Sequence, residues 1–457
     1  MAMSLDILSV LSSDQVLTPS NGEAYEAALQ RWSETSVRRA QLIVFPRTAE
    51  DVSKAVKYAV AHDIEIAIKG GGHSCSGASA TTGIVIDLSN MDTVEVIPEK
   101  KLAKVGGGAL WAAVDAAAAK HGFATVGGTV NHTGVGGLTV GGGFGFLSPK
   151  LGLAVDVLRE AEVVLANGDV VVCNASEHPD LFWGIRGGGS NFGPVTSFTF
   201  ELFPQENAVW SGLLIFTPDK LAEVFSALKE WYAAAGENEA ANLFIGCGPP
   251  DFKPALVVLP FYNGSVEEAK VKFGCLLDVG PVADFTQEMA YPAVNTIQHP
   301  MTTHGDRKLF KATSFTSFSA DLFQPIFDNY SELVETFPDT RGSAVIMEFY
   351  PPNKITSVPT GATAFPSRMA RCNINFVPRW KDAALDSKMY EWASAQVDFV
   401  RNAEKLPAAN RAYANYGFGD ERARDVFGEN YERMAKVKAL YDPGNVFHKW
   451  YPVIPQA

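Results

Sequence analysis

Ile64-Glu65-Ile66-Ala67-Ile68 carries apolar side chains at alternate positions, the period of a half-buried strand, and the run stops at three glycines. Just before it, residues 50–62 place Val52, Ala55, Val56 and Ala59 at helical spacing. The same switching of period recurs through the first two hundred residues. Residues 1–40 read as a helical arm, clearest over 25–32, and 41–45 as a short strand that Pro46 ends. Residues 84–88, 94–97 and 102–105 read as strands and 109–121 as an alanine-rich helix. Residues 163–172 predict a hairpin turning at Asn167-Gly168. A short amphipathic helix over 178–186 and a strand over 195–203 follow. This alternation predicts an α/β or mixed α+β ligand-binding domain.

Near Pro204 the pattern changes. Strand-like runs at 209–216, 255–261, 344–350 and 372–377 alternate with helical runs at 219–234, 266–277 and 385–403. They predict an antiparallel sheet covered by helices on one side. From Tyr413 a third pattern begins, with a helix over 421–440 stopped by Asp442-Pro443-Gly444. No internal repeat or low-complexity tract interrupts the chain.

The glycines add chemistry. Lys69-Gly70-Gly71-Gly72-His73-Ser74-Cys75-Ser76-Gly77 follows the strand at 64–68, and three glycines there let backbone N–H groups approach a phosphate or pyrophosphate. In Gly127–Gly145, nine of nineteen residues are glycine, a costly density at roughly 0.5–1 kcal/mol per residue relative to alanine. Interspersed Val130, Val135, Leu138, Val140 and Phe144 distinguish the segment from a flexible linker. It suits backbone lying flat against a planar ring and its pyrophosphate. Four Gly-Gly-Gly triplets occur before residue 200, yet none extends to GxGxxG, which disfavours a Rossmann dinucleotide site.

Composition narrows the partners. The 457 residues suggest about two or three domains. With 47% hydrophobic and 19% charged residues the chain has the balance of a globular protein. A net charge of −13 without a Lys/Arg-rich run argues against nucleic-acid or anionic-membrane partners. No stretch of about 18 apolar residues is present to span a bilayer. Met1–Asp6 lacks the pattern of a secretory leader, so an intracellular, cytoplasmic chain is expected. Five scattered cysteines without CxxC predict neither a disulfide framework nor a zinc site. Of four glycosylation sequons, at Asn131, Asn174, Asn263 and Asn329, the first falls inside the glycine-rich segment expected to be buried.

The ordered set of motifs resembles a known family. Pro46 with Asp51-Val52, Gly70-Gly71-Gly72-His73-Ser74, Gly134-Val135-Gly136-Gly137, Gly141-Gly142-Gly143-Phe144-Gly145, Asp180-Leu181-Phe182-Trp183 and 187–193 all contribute. So do Tyr413-Ala414-Asn415-Tyr416 and Tyr441-Asp442-Pro443-Gly444-Asn445-Val446-Phe447 in the tail. Together they resemble the berberine-bridge-enzyme-like branch of flavin oxidases with the vanillyl-alcohol oxidase fold.

That resemblance implies an α+β fold with a two-lobed PCMH-type FAD-binding domain over 1–205, its core about 38–205. It also implies a substrate domain over 206–410, with an antiparallel sheet covered by helices, and a segment over 411–457 completing the FAD domain. His73 matches the histidine joined covalently to the flavin C8α methyl, a bond that raises the flavin potential. Lys69, Gly70, Gly71, Gly72, Ser74 and Gly77 are implied cofactor contacts, as are Val130, Thr133, Gly134, Gly136, Gly137, Leu138, Gly141, Gly142 and Gly143. Val195, Asn415 and Tyr416 complete the implied set. Many relatives carry a second flavin-bonding cysteine where Val130 stands, so a single covalent link and a smaller substrate than an oligosaccharide are expected. Thr133, nearly isosteric with valine, occupies the implied oxygen gate and points to an oxidase.

Oxidation of an alcohol or amine needs a proton acceptor beside the substrate. Tyr413 matches the tyrosine that serves as base in several relatives; with an ordinary pKa near 10 it requires a cation or hydrogen bonds. Glu348 and Tyr350, two apart on one strand, share a face and are pocket candidates, as is Arg368 beside Ser367, where relatives often have histidine. Glu348 as a surface or salt-bridged carboxylate is the competing reading. His299 and His304 read as loop residues, no metal site is expected, and Ser190 lacks a GxSxG elbow. The expected function is an FAD oxidase acting on a C–O or C–N bond of a small molecule, a secondary metabolite by preference, with molecular oxygen as acceptor. A carbohydrate oxidase or dehydrogenase, or a flavin-binding protein without redox turnover, are the alternatives.

Overall fold

The structure, a computed structural model, describes residues 7–248, 252–411 and 413–456. Met1–Asp6, whose pattern bears on targeting, lie outside the described residues.

The first sheet runs in the order Val16–Leu17, Leu42–Val44, Ile84–Asp87, Ile66–Lys69, and the last three strands are parallel. Helix Ala49–Ala61 packs on it through Val52, Ala55, Val56 and Ala59, each fully buried. Thr48 caps it by accepting the Asp51 N–H. The expected N-terminal helical arm is instead one helix, Glu23–Leu29, preceded by a strand and two short turns. Pro19 and the positive φ of Gly22 break the helical run there. Trp32, past the end of that helix, donates its N–H to the Gly72 carbonyl.

The second sheet is antiparallel, in the order Val94–Ile97, Leu102–Gly106, Val195–Glu201, Leu158–Val164, Val170–Asn174. The hairpin forms as expected, but its loop is three residues long rather than two. Leu165 N–H bonds to Asp169 O, and only Gly168 takes a positive φ, which gives a type I turn with a glycine bulge. Helix Trp111–Ala119 fills the interior. Inside the glycine-rich segment lies a helix the pattern did not announce, Val135–Val140.

A nine-stranded antiparallel sheet occupies the middle of the chain. From its middle to one edge it runs Lys253–Tyr262, Glu239–Gly248, Ala344–Phe349, Cys372–Val377 and Lys311–Phe315. Leu243, Ile245, Val345, Met347, Ile374 and Phe376 turn towards helices Leu221–Ala234, Ala320–Thr336 and Asp386–Glu404. The alternate positions, Phe244, Ile346, Glu348, Asn375 and Val377, turn the other way, into a cleft. Three expected elements are split. Gly212 divides 209–216, because a Cβ there would strike the Phe285 carbonyl at 2.3 Å. Phe273 leaves helical geometry within 266–277, and Gly428, at φ +50°, separates Ala423–Phe427 from Tyr431–Tyr441.

The tail returns to the first lobe. Lys438 Nζ, fully buried, pairs with Asp442 and donates to the carbonyls of Asn191 and Phe447. Among the described residues no helix is long and apolar enough to cross a membrane.

Candidate active site

One large cleft lies between the glycine loops, the inner face of the nine-stranded sheet and the tail, enclosing about 1950 Å³ including its open mouth. The loop after Ile66–Lys69 and the glycine-rich segment form its floor. They meet so closely that a Cβ on Gly71 would lie 2.5 Å from the Gly134 nitrogen. Only glycine permits that crossing. At Gly137, which lines the cleft, an added Cβ would meet nothing within 4 Å and would project into open space.

The cleft gathers Gly70, Gly71, Gly72, His73, Ser74, Val130, Thr133, Gly134, Gly136, Gly137, Leu138, Val195, Glu348, Tyr413, Asn415 and Tyr416 along its walls. Five expected cofactor contacts lie elsewhere. Lys69 is drawn beneath its loop by an ion pair with Asp87 at 2.6 Å, and Gly77 serves a turn at φ +79°. Gly141 packs on the Asn415 amide, Gly142 on the rings of Phe365 and Tyr413, and Gly143 donates its N–H to the Tyr413 hydroxyl at 2.8 Å. The third triplet therefore seats the tail. Arg368 is also displaced from its expected place. It forms a buried two-pronged pair with Asp156, at 2.7 and 2.8 Å, outside the cleft.

Glu348 is 4% exposed, so it is not a surface carboxylate, and among the described residues it forms no salt bridge. Tyr416 donates to its Oε1 at 2.8 Å and Asn373 to its Oε2 at 3.0 Å, while Tyr350 approaches at 3.5 Å. Burial pushes its carboxyl up to about 6, against the pull of these donors. Of the cation or hydrogen bonds that the sequence led us to expect, Tyr413 receives hydrogen bonds from two neutral donors, Gly143 N–H and Asn415 Nδ2 at 2.6 Å. Burial raises its pKa above the ordinary tyrosine value, so it keeps its proton at neutral pH.

His73 stacks on Trp32, with ring centroids 4.6 Å apart, and its Nε2 lies 3.2 Å from His132 Nδ1. Burial, then His132, His304 and Lys308, hold His73 well below its ordinary pKa, so the imidazole is neutral. His132 is pushed down to about 4 by burial and its histidine neighbours. His299 and His304, read from sequence as plain loop residues, belong to this group: their rings each lie 5.2 Å from His132. Lys308, 1% exposed, sits over the Trp32 ring at 4.4 Å. Trp32, Thr302, Lys308 and Phe310 carried no local signal, because each reaches the cleft from a distant loop or strand end. The spacing of His299 and His304 was visible, but nothing tied them to His132.

Residues 40–174 match the model of an FAD-binding domain, and residues 412–451 match the berberine and berberine-like domain. The FAD-linked oxidoreductase pgmH of Aspergillus terreus is 32% identical over 95% of this chain and 92% of its own length. The chain belongs to the berberine-bridge-enzyme-like FAD-linked oxidoreductases. Solved structures agree. The 6-hydroxy-D-nicotine oxidase of Arthrobacter nicotinovorans superposes with a TM-score of 0.84 at 26% identity, covering 96% of this chain and 98% of that one. The glucooligosaccharide oxidase of Acremonium strictum, described as carrying a 6-S-cysteinyl, 8α-N1-histidyl FAD, reaches 0.87 at 22% identity over 99% of both chains. At that identity the likeness concerns the fold.

For a member of this flavoenzyme family, the cleft residues fit FAD. The space in front of Gly137 is a cradle that any side chain would fill, the glycine floor admits close backbone approach, and a neutral imidazole faces in.

Proposed function

We propose that this flavoenzyme is an oxidase that removes a hydride from a carbon bearing oxygen or nitrogen in a compact small molecule. Glu348 takes the accompanying O–H or N–H proton. The observation that carries the reading is Glu348 itself: a buried carboxylate inside the cleft, with its pKa raised to about 6 and two donors fixing its orientation. A base poised just below neutrality is mostly ionised at pH 7 and still basic enough to accept a proton. When bound, FAD supplies the two-electron acceptor for the hydride and hands the electrons to O2, giving H2O2. The loops at 70–74 and 133–138 and Asn415 would hold it, with His73 as the single point of covalent attachment, since Val130 could not form a second.

Tyr413, protonated and held by Gly143 and Asn415, acts as a hydrogen-bond donor that orients substrate. Tyr416 positions Glu348. Phe244, Phe310, Ile346 and Val377 give the sheet face of the cleft an apolar patch around Asn375, whose buried Oδ1 has no partner among the described residues, while Gln298, Thr302, Lys308 and Arg379 line the cleft beside it. An apolar body carrying a hydroxyl or amino donor satisfies both features. The apolar patch supports a compact secondary metabolite over an oligosaccharide. The naming of one relative as a nicotine oxidase is consistent with a C–N substrate. Thr133 on the cleft wall supports O2 over another acceptor.

The test is to add alcohols, phenolic amines and sugars without oxygen, follow bleaching of the flavin, then admit air and measure H2O2. Bleaching by compact aromatic alcohols or amines supports the proposal, and bleaching by oligosaccharides alone replaces it. A protein that stays yellow throughout is a binding protein.

A further inference from the structure

We propose that Arg371, at the entry to strand Cys372–Val377, is a positioning residue: it holds the Asn373 amide so that an N–H rather than a carbonyl oxygen faces Glu348, and so keeps that carboxylate an acceptor. The proposal deepens the reading of Glu348 as the base and rests on it.

Side-chain oxygens seat the guanidinium of Arg371. Nε donates to Ser367 Oγ at 3.0 Å, and Nη1 donates to Ser314 Oγ and to Asn373 Oδ1, the last at 3.2 Å. Ser367 is itself fixed, because its hydroxyl donates to Asn410 Oδ1 at 2.5 Å. Nη2 is buried and has no partner among the described residues. Burial pulls the guanidinium down to about 10, which leaves it charged at neutral pH. Among the described residues no carboxylate pairs with this cation directly. The carboxylate its hydrogen bonds lead to is Glu348, reached through Asn373.

An arginine only donates, so the amide atom facing it must be the oxygen. Nδ2 of Asn373 is thereby turned onto Glu348 Oε2, at 3.0 Å. With Tyr416 donating to Oε1, both oxygens of Glu348 face donors, which suits the ionised form. Without Arg371 the amide is free to turn over. Its oxygen would then face Oε2, and only a protonated Glu348 can bond to that. The strand on the other side of Glu348 supplies an internal comparison. Asn242 stands opposite Glu348 in register, as Asn373 does, yet neither atom of its amide has a partner among the described residues. An asparagine beside Glu348 is therefore not enough, and the one with a guanidinium behind it engages the carboxylate. The titratable groups facing Glu348 are Tyr350, Tyr413 and Tyr416, all kept protonated by burial, so none of them supplies the charge that Arg371 does.

The experiment reads the protonation of Glu348 directly in the full-length holoenzyme. Infrared spectra are recorded from about pH 4 to about pH 9, and the carboxyl C=O band of Glu348 is assigned as the one missing from Glu348→Gln. Wild type is expected to lose that band through about pH 6. In Arg371→Met the midpoint is expected to rise by about one unit, so that the ionised fraction at pH 7 falls from about nine-tenths to about half. Asn373→Leu is expected to raise it similarly, and the double variant by no more than either single one. Arg371→Lys, which keeps a cationic donor, is expected to bring the midpoint back towards wild type, and Asn242→Leu to leave it in place. An unmoved midpoint in Arg371→Met overturns the proposal. So do additive shifts in the double variant, a midpoint in Arg371→Lys as high as in Arg371→Met, or an equal shift in Asn242→Leu. Should Arg371→Met not fold, Ser314→Ala, which removes one oxygen seating Arg371, is read in its place: a raised midpoint supports the proposal and an unmoved one overturns it. The base reading fails separately, by flavin reduction at the wild-type rate in Glu348→Gln, whereas an unmoved midpoint in Arg371→Met strikes this proposal alone.

Discussion

Tyr416 of the C-terminal segment donates its hydroxyl to Glu348 Oε1 of the central sheet across 2.8 Å. The same carboxylate receives Asn373 from the neighbouring strand, in register with it across the ladder. A proton acceptor is thus held by two elements that come together only when the tail closes over the cleft, and a base so oriented needs little reorganisation when substrate arrives.

Replacing Glu348 by Gln keeps the size of the side chain and removes the base. Anaerobic flavin reduction by substrate should fall about 10²–10⁴-fold with flavin content unchanged. In wild type, the reduction rate should rise with pH through about 6, the region where Glu348 ionises, and level off above it. Stopped-flow bleaching between pH 4.5 and 8 checks both, and an unchanged rate in Glu348→Gln removes Glu348 from the reaction.

His73→Ala should release its yellow colour into the supernatant on acid precipitation, where wild type keeps it in the pellet. Colour retained in the variant's pellet would mean that a residue other than His73 bonds the flavin.

Asp115, on helix Trp111–Ala119, is buried and accepts from Asn295 Nδ2 at 2.9 Å; burial raises its carboxyl to about 7. Because the folded-state pKa exceeds the ordinary value of 3.8, the folded chain binds the extra proton between these limits. Its contribution to stability is full below pH 4 and is lost as pH rises through about 7. Asp115→Asn should therefore gain in Tm relative to wild type as pH is raised from 5 to 8. A Tm difference that stays constant across that range would contradict it.

Gly71→Ala and Gly137→Ala should behave oppositely. The first drives a Cβ to within 2.5 Å of the Gly134 backbone and should cost about 1–3 kcal/mol of stability. The second meets no atom within 4 Å and improves helix propensity by about 1 kcal/mol, yet it fills the cofactor cradle. Circular dichroism melts and flavin stoichiometry should show an unstable chain in one case and a stable, flavin-poor one in the other.

Arg368→Ala strands the buried Asp156 carboxylate and should cost about 3–5 kcal/mol. The folded fraction should reduce its flavin at the wild-type rate, because the pair lies outside the cleft. A selective loss of rate would return Arg368 to the active site.

The α+β architecture and the glycine loops were legible because their signals are local. Alternation at 64–68 and helical spacing at 50–62 report burial within a few residues, and a glycine triplet announces close backbone approach wherever it occurs. Legibility fails where one residue decides a break. Gly212 and Gly428 split a strand-like and a helical run that each read as continuous, and Glu239–Gly248, mixed in pattern, gave no clear period.

By itself the sequence determined the family, the glycine loops and the antiparallel sheet, since ordered motifs and periodicity are carried along the chain. Only the tertiary structure decided what the side chains do. It turned Arg368 and Lys69 away from the cleft and gave Tyr413 neutral hydrogen-bond donors. It also brought His132 to His73 and to Thr302 across 59 and 170 residues. Hydrogen bonds and desolvation act over a few ångströms in space, and no spacing along the chain records which distant groups will share that distance.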